Sequence, residues 1–301
     1  MFPGGAVNSG NGSRGAVEVV APAKVNLALH VGPRRPDGYH EIASLMLPVT
    51  LADRVIVSRT PGAKTSVECP VAPGGENLAA RIVGELERHL ERAFEVRVAI
   101  TKNIPAGAGL GGGSSDAAAT LVAMERLFDL DLSPRTRHEI AAAVGSDVPF
   151  FLWPGAQLAM GRGQVLKAVL LPALYLVVAV PELSLATAEV YGWHDEDETV
   201  DAASFVPRAR MLSRRCQEVR SAAALAQLVH NDLEPCVVRR RPEVGAARDA
   251  LVRMGARVAA MTGSGAAVFG LFDDADAAAR ARAAVAPLRA WSVTDLQPAG
   301  A

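Results

Sequence analysis

Cysteine is scarce: Cys69, Cys216 and Cys236 are the only three in 301 residues. They are odd in number, far apart and without a C-x-x-C unit, which excludes a disulfide framework and a cysteine-based zinc site and fits a reducing cytosol. An excess of one charge is also missing. Lysine plus arginine number 31 and aspartate plus glutamate 32, a formal net charge of −1, so no nucleic-acid partner is expected. Long apolar runs are absent as well: the longest uncharged apolar run, Ala168 to Val180, is too short to cross a bilayer and contains Pro172. No membrane partner is expected. The opening M-F-P-G-G-A-V-N-S-G-N-G-S-R-G lacks the apolar core of a signal peptide and reads as a disordered tail over 1–15. The six histidines show no metal-ligand spacing such as H-x-x-x-H. Finally, no G-K-S or G-K-T follows a glycine run, which excludes a Walker-type phosphate loop.

Apolar residues, by contrast, are plentiful. They make up 50% of the chain, ample for two buried cores, and the length suits two domains. The chain is organised around Pro105-Ala106-Gly107-Ala108-Gly109-Leu110-Gly111-Gly112-Gly113-Ser114-Ser115, followed by Asp116. Before it, Phe94, Val96, Val98 and Ile100 alternate as in a strand; after it, Ala117, Leu121, Met124, Leu127 and Phe128 have helical spacing. Glycines permit positive φ and close ligand approach, while Ser114, Ser115 and Asp116 favour a helix start. Such a junction aims N–H donors and a positive helix end at one point, where a phosphate can bind. Gly107 to Gly112 also satisfy the dinucleotide fingerprint, with Asp129 placed for a ribose contact, so the loop alone leaves dinucleotide and triphosphate open.

Ala23, Val25, Leu27, Leu29 and Val31 alternate with Lys24, Asn26, Ala28 and His30, a strand that puts Lys24 and Asn26 on one face, roughly 6 to 7 Å apart. That face either lines a site or lies in solvent. The turn Arg35-Pro36-Asp37-Gly38 delivers Tyr39 and His40, which can stack on a flat ring or simply close a strand edge. Further strands are expected at Leu45 to Val49, Val55 to Ser58 and Thr65 to Cys69. Asn77 caps a helix whose stripe is Leu78, Ile82, Leu86 and Leu90. Lys102, just before the glycine loop, meets either nucleotide groups or water. Ser133-Pro134 starts another helix, and Gly145 is placed to end it in the left-handed conformation. In the following Ser146 to Leu152 stretch, Asp147 is either an Asx cap or a general base held beside apolar residues.

A second domain is expected from about Leu166, giving an N-terminal domain over 16–165 and a C-terminal one over 166–301. Its pattern is strand (Leu174 to Val180), a helix holding Thr187, Val190, Tyr191 and Trp193, and helices within Val206 to Val229 and Glu243 to Met254. Strand (Arg257 to Thr262), Gly263-Ser264-Gly265 turn, strand (Ala267 to Phe272), helix (Asp276 to Ala286) and strand (Trp291 to Leu296) follow. This β-α-β-β-α-β order is ferredoxin-like. Asp195-Glu196-Asp197-Glu198 reads as a solvated loop and Arg239-Arg240-Arg241 as a solvated helix end.

Four separated stretches resemble the GHMP kinase superfamily, over about Val17 to Leu296. They are Pro22-Ala23-Lys24-Val25-Asn26-Leu27 with Asp37-Gly38-Tyr39-His40, the loop Pro105 to Ser115, Gly145-Ser146-Asp147-Val148-Pro149-Phe150, and Thr262-Gly263-Ser264-Gly265-Ala266. The resemblance implies an α+β, two-domain fold, with an N-terminal ribosomal-protein-S5-like domain that binds ATP and a C-terminal ferredoxin-like domain. It implies a cytoplasmic, ATP-dependent small-molecule kinase, with Mg2+ accompanying the ATP. The A-K-V-N-L, D-G-Y-H and G-S-D-V-P forms are similar to members that phosphorylate the 2-hydroxyl of a cytidine-diphosphate methylerythritol on the non-mevalonate isoprenoid route.

By that resemblance Asp147 is the base and Lys24 its electrostatic partner. The loop Pro105 to Ser115 cradles the ATP phosphates, Asn77, Leu78 and Lys102 lie near adenosine, and Ser115 is a metal-ligand candidate. Asn26, Tyr39, His40, Asp147, Thr187, Tyr191, Gly263, Ser264 and Gly265 fall at substrate positions, with Tyr39 and Tyr191 bracketing the cytosine. Met46 stands where relatives can carry an aromatic residue, which would soften that sandwich. The substrate partner expected is a small molecule carrying a cytidine diphosphate, and the protein a monomer or weak homodimer. Two other readings stay open: a kinase for another small alcohol such as mevalonate or homoserine, for which a carboxylate-binding arginine would be expected, and a non-catalytic nucleotide-binding sensor.

Overall fold

In chain order the elements are β1 (Ala16–Arg34), β2 (His40–Arg59), β3 (Ser66–Glu68), α1 (Leu78–Leu90), β4 (Val96–Thr101), α2 (Gly112–Phe128), α3 (Pro134–Val144), a 3-10 turn at Pro149–Leu152, β5 (Gln157–Gly161), β6 (Val165–Ala168) and β7 (Tyr175–Val180). Then come α4 (Thr187–Asp197), α5 (Ala202–Cys216), α6 (Ala222–Ala226), β8 (His230–Asn231), α7 (Glu234–Arg240), α8 (Pro242–Arg253), β9 (Val258–Met261), β10 (Val268–Phe272), α9 (Ala275–Ala284) and β11 (Arg289–Thr294). This computed structural model describes residues 15–71, 77–197, 200–285 and 288–295. The tail expected over 1–15 lies outside the described residues except for Gly15, and so do Glu198, Ala286 and Leu296.

The chain divides into two compact units, the first made of Met1–Ala23, Leu51–Ile104 and Gly111–Pro154, the second of Lys24–Thr50, Pro105–Leu110 and Gly155–Ala301. In the first unit, β2 pairs antiparallel with β4 (Arg54 opposite Thr101) and β3 pairs parallel with β4. Alternation on these strands buries Val55, Val57, Val96 and Val98, and α1 packs against α2 and α3. As the sequence indicates, Asn77 caps α1 by accepting from the Ala79 amide at 2.8 Å, and Ser133 caps α3 with Pro134 at its first position.

Gly145 departs from expectation. It is extended, at φ −176° and ψ 152°, rather than left-handed, because the Val148 amide turns back to its carbonyl at 3.2 Å and starts the Pro149–Leu152 turn. The strands expected at Leu45 to Val49 and Val55 to Ser58 merge into β2. Pro48 falls between the ladder to β5, residues 42–46, and the ladder to β4, residues 54–59, so neither of these two ladders requires an N–H of it.

The second unit holds an antiparallel sheet in the order β11-β7-β10-β9, with α8 and α9 packed on it. With α4, α8 and α9 this is the ferredoxin-like order that the pattern predicts. Val177, Ala179, Val268 and Phe272 are buried with Leu251, Ala278 and Ala281 of the helices. The same unit pairs β1 with β8, β2 with β5 and β5 with β6.

The acidic run is corrected here: Asp195, Glu196 and Asp197 are the last turn of α4, not a loop. Acids at a helix C-terminus oppose its dipole, and arginines of α7 compensate. Arg240 donates to Asp197 at 2.7 Å and Glu196 at 2.9 Å, and Arg239 reaches Asp197 at 3.1 Å. Arg239 and Arg240 are therefore ion-paired rather than merely solvated.

Candidate active site

In the second unit the start of the glycine loop packs backbone against backbone. Gly107 O accepts from Leu185 N (3.3 Å), Ala108 O from Ala267 N (3.1 Å) and Leu110 O from Lys24 N (3.0 Å). Gly107 and Gly109 take φ of +65° and +75°. A methyl group on Gly109 would sit 2.6 Å from Thr262 O, so this glycine serves close approach as well as the bend. The Gly263-Ser264-Gly265 turn is the loop's partner, not a plain hairpin tip: a methyl group on Gly263 would lie 2.8 Å from Gly109 O and 2.9 Å from Lys24 Nζ.

Lys24 and Asn26 share a face of β1, as alternation requires, and both are buried, at 4% and 5% exposure. That decides against the solvated edge. The Lys24 ammonium donates to Asn26 Oδ1, Asn26 Nδ2 donates to Ser44 Oγ at 2.7 Å, and the Asn26 amide donates to Thr262 Oγ1 at 2.7 Å. Thr187 Oγ1 lies 3.0 Å from Ser264 Oγ. Lys24, Asn26, Gly107 to Leu110, Thr187 and Gly263 to Gly265 are thus brought together.

His40 and Tyr191 form a second cluster in this unit. Their ring centroids are 5.0 Å apart, and His40 Nε2 lies 2.7 Å from Asp195 Oδ1. Tyr39 is half-exposed and stacks under the Arg162 guanidinium, 5.0 Å from the ring centre. Met46 is fully buried within β2.

In the first unit α2 begins at Gly112, after Gly111 at φ +72° and without a side-chain cap. The expected serine start is therefore corrected: a left-handed glycine turns the chain, and Ser114 and Ser115 lie inside the first turn. The amides of Gly112, Gly113 and Ser114 have no carbonyl in a preceding turn and point out of the positive helix end, the arrangement that suits a phosphate, whereas the Ser115 amide already donates to Gly111 O at 2.9 Å. Leu78 Cδ1 would sit 3.7 Å from a methyl group on Gly113. Asp129 is left-handed (φ 53°) and forms the C-cap of α2, a local role for a residue that the dinucleotide reading would put on a ribose.

Lys102 faces neither water nor solvent-borne groups alone: it is ion-paired with Asp53 and, at 2.7 Å, with Asp116. Asp53 is fully buried and also accepts from the amides of Asn103 (2.6 Å) and Ile104 (2.8 Å). Burial, helped by the nearby Asp53 charge and resisted by Lys102, pushes the Asp116 carboxyl up to about 7. Burial works against the Lys102 charge, but the two carboxylates outweigh it and hold the ammonium above its ordinary range. Asp147 occupies the partly exposed turn between α3 and Pro149–Leu152.

Sequence reasoning missed Asp53, Ser44, Arg162 and Asn231. Asn231 is the most informative of these. Its Nδ2 donates to Met261 O (2.8 Å) and Gly263 O (2.9 Å), fixing both ends of the strand-to-turn step, while its Oδ1 accepts from Leu233 N (2.9 Å). The usable signal was the consecutive Asn231-Asp232-Leu233-Glu234, in which Glu234 also accepts from the Met261 amide at 2.7 Å.

A glycine loop entering a helix, a buried lysine on the facing strand and a ferredoxin-like C-terminal sheet match the GHMP class of small-molecule kinases, as the family models show. Family models for the GHMP kinases N terminal domain and the GHMP kinases C terminal region match residues 77–155 and 214–288. A solved structure of 4-(cytidine 5'-diphospho)-2C-methyl-D-erythritol kinase is similar at 37% identity and TM-score 0.76, covering 94% of this chain and 100% of that one. A homoserine kinase from Cytophaga hutchinsonii, at 16% identity and TM-score 0.75, covers 96% of this chain and 98% of its own and shares the fold.

Among curated relatives, proteins named 4-diphosphocytidyl-2-C-methyl-D-erythritol kinase are similar over most of their length. That of Gloeobacter violaceus is 42% identical, covering 86% of both chains, and that of Citrifermentans bemidjiense is 37% identical, covering 91% of this chain and 96% of its own. The chain belongs to the 4-diphosphocytidyl-2-C-methyl-D-erythritol kinase family of GHMP kinases.

Proposed function

We propose that this protein transfers the γ-phosphoryl group of ATP to the 2-hydroxyl of 4-diphosphocytidyl-2-C-methyl-D-erythritol, in isoprenoid precursor synthesis. The observation that carries the reading is the buried Lys24–Asn26 pair set against two glycine turns, supported by the names of relatives at 37% and 42% identity. Phosphoryl transfer asks mainly for positioning and charge stabilisation. In this reading the loop Pro105 to Ser115 and the first turn of α2 receive the triphosphate, with Asn77, Leu78 and Lys102 toward the adenosine. Lys24 neutralises charge on the moving group and is the electrostatic partner of Asp147, which accepts the hydroxyl proton.

Asn26, Thr187 and the Gly263-Ser264-Gly265 turn hold the acceptor, and Tyr39, His40 and Tyr191 take the cytosine. In this reading Lys102 also neutralises Asp53 and Asp116, with which it is ion-paired. Mg2+ fits the oxygen donors there: Ser115 Oγ and Asp116 Oδ1 are buried and have no hydrogen-bond partner among the described residues. Bound with ATP, such an ion would supply charge neutralisation.

We also propose the division into an ATP-binding domain over 16–165 and a C-terminal domain over 166–301, a monomer or weak homodimer as the assembly, and the cytoplasm as location. Among the described residues no helix is long and apolar enough to cross a membrane. Kinetics on Asp147→Asn test the assignment. Turnover should fall by roughly a hundredfold or more with ATP binding intact. Full turnover in that variant would remove Asp147 from the role of base.

A further inference from the structure

Histidine spacing along the chain offers no metal site, yet the fold assembles a set of ligands from two distant segments. β8 runs parallel to β1 with Ala28 opposite His230 and Leu29 opposite Asn231. That register brings His30 of β1 beside His230, ring centroids 4.9 Å apart. Asp232 follows directly and is fixed by backbone: its amide donates to Leu29 O at 3.0 Å, and its Oδ2 accepts from the Val31 amide at 2.8 Å. One nitrogen of each imidazole and one carboxylate oxygen lie within 4.8 Å of one another. His30 Nδ1 is buried, has no hydrogen-bond partner among the described residues, and stands 3.7 Å from Asp232 Oδ1.

The geometry points to a binding site for one divalent transition-metal ion, of the zinc and cobalt kind, with His30 Nδ1, His230 Nε2 and Asp232 Oδ1 as its protein ligands. Ligands about 2.1 Å from a tetrahedral ion are about 3.4 Å apart. The His30–Asp232 separation of 3.7 Å already matches. His230 Nε2, 2.5 Å from the same oxygen, must swing outward by about an ångström to reach that spacing, and its side chain is half-exposed and able to do so.

Two imidazoles and one carboxylate suit zinc, cobalt or nickel, whereas magnesium prefers an all-oxygen shell, so this site is chemically separate from the nucleotide's metal. Arg208 is the built-in competitor. It donates to Asp232 Oδ1 at 3.1 Å and to Oδ2 at 2.8 Å, and it must yield the first of these while keeping the second. A bound ion would pin β8 to β1, and with it Asn231, which holds the Gly263 turn.

The test is a titration of the tag-free, full-length protein with Co2+ alone, no nucleotide present, followed by visible absorption and by competition with Zn2+. The site predicts one Co2+ per chain with the d–d bands of nitrogen and oxygen ligation, displaced by Zn2+ and indifferent to excess Mg2+. His30→Ala and His230→Ala should each weaken binding by about tenfold or more. Arg208→Gln should tighten it, and His89→Ala should change nothing. If His30→Ala does not fold, half-exposed His230 carries the test. Absence of saturable binding, displacement by Mg2+, or unchanged affinity in His230→Ala would overturn the assignment. So would loss of binding in His89→Ala.

Discussion

Two glycines of one loop separate what the fold needs from what the ligand needs. At Gly109, φ is +75° and a methyl group would meet only backbone: Thr262 O at 2.6 Å and both N and O of Gly265 at 2.9 Å. Gly109→Ala is expected to lose about 1–3 kcal/mol of stability, measured by urea unfolding, because neither neighbour can yield. At Gly113, inside α2, a methyl group would meet only Leu78 Cδ1 at an ordinary 3.7 Å. Alanine is the better helix former, so Gly113→Ala should hold or raise stability while weakening ATP, read by nucleotide titration.

Asp116 adds a pH signature. Its carboxyl rises from 3.8 to about 7 on folding, so the native state keeps a proton that the unfolded chain releases. Stability therefore falls as pH climbs from about 4 to about 7. Asp116→Asn removes that loss, and urea unfolding at pH 5 and pH 8 should show a flatter dependence than wild type by on the order of 1 kcal/mol.

Among the elements, Asn231 joins β8 to the Gly263 turn through the Met261 and Gly263 carbonyls. Removing its amide leaves buried acceptors unsatisfied, at about 1–3 kcal/mol each. Asn231→Ala should therefore lower both the melting temperature and kcat, while ATP affinity changes little if the turn serves the acceptor. Elements with local signals were legible in the sequence: Asn77 and Ser133-Pro134 announce helix starts, and glycines mark the phosphate loop and its partner turn. What depends on distant partners was not. Lys102 looked free until Asp53 and Asp116 met it, and the acidic run of α4 looked like a loop because its arginines lie on α7. Gly145 misled because a following turn, not the helix end, sets its backbone.

For the whole molecule, the two compact units interleave along the chain, dividing within β1 and β2, so the site residues are drawn from several separated segments. The fold itself is shared with a homoserine kinase at 16% identity, so architecture alone does not set substrate choice, and the proposed function gives that choice to side chains such as His40 and Tyr191. The most direct measurement is ADP formation by the purified protein with Mg2+ and ATP, comparing candidate alcohols. The account predicts turnover with 4-diphosphocytidyl-2-C-methyl-D-erythritol, inhibited by cytidine nucleotides, and none with mevalonate or homoserine. Turnover on either small acid, or ATP binding with no turnover on any of the three, would contradict it.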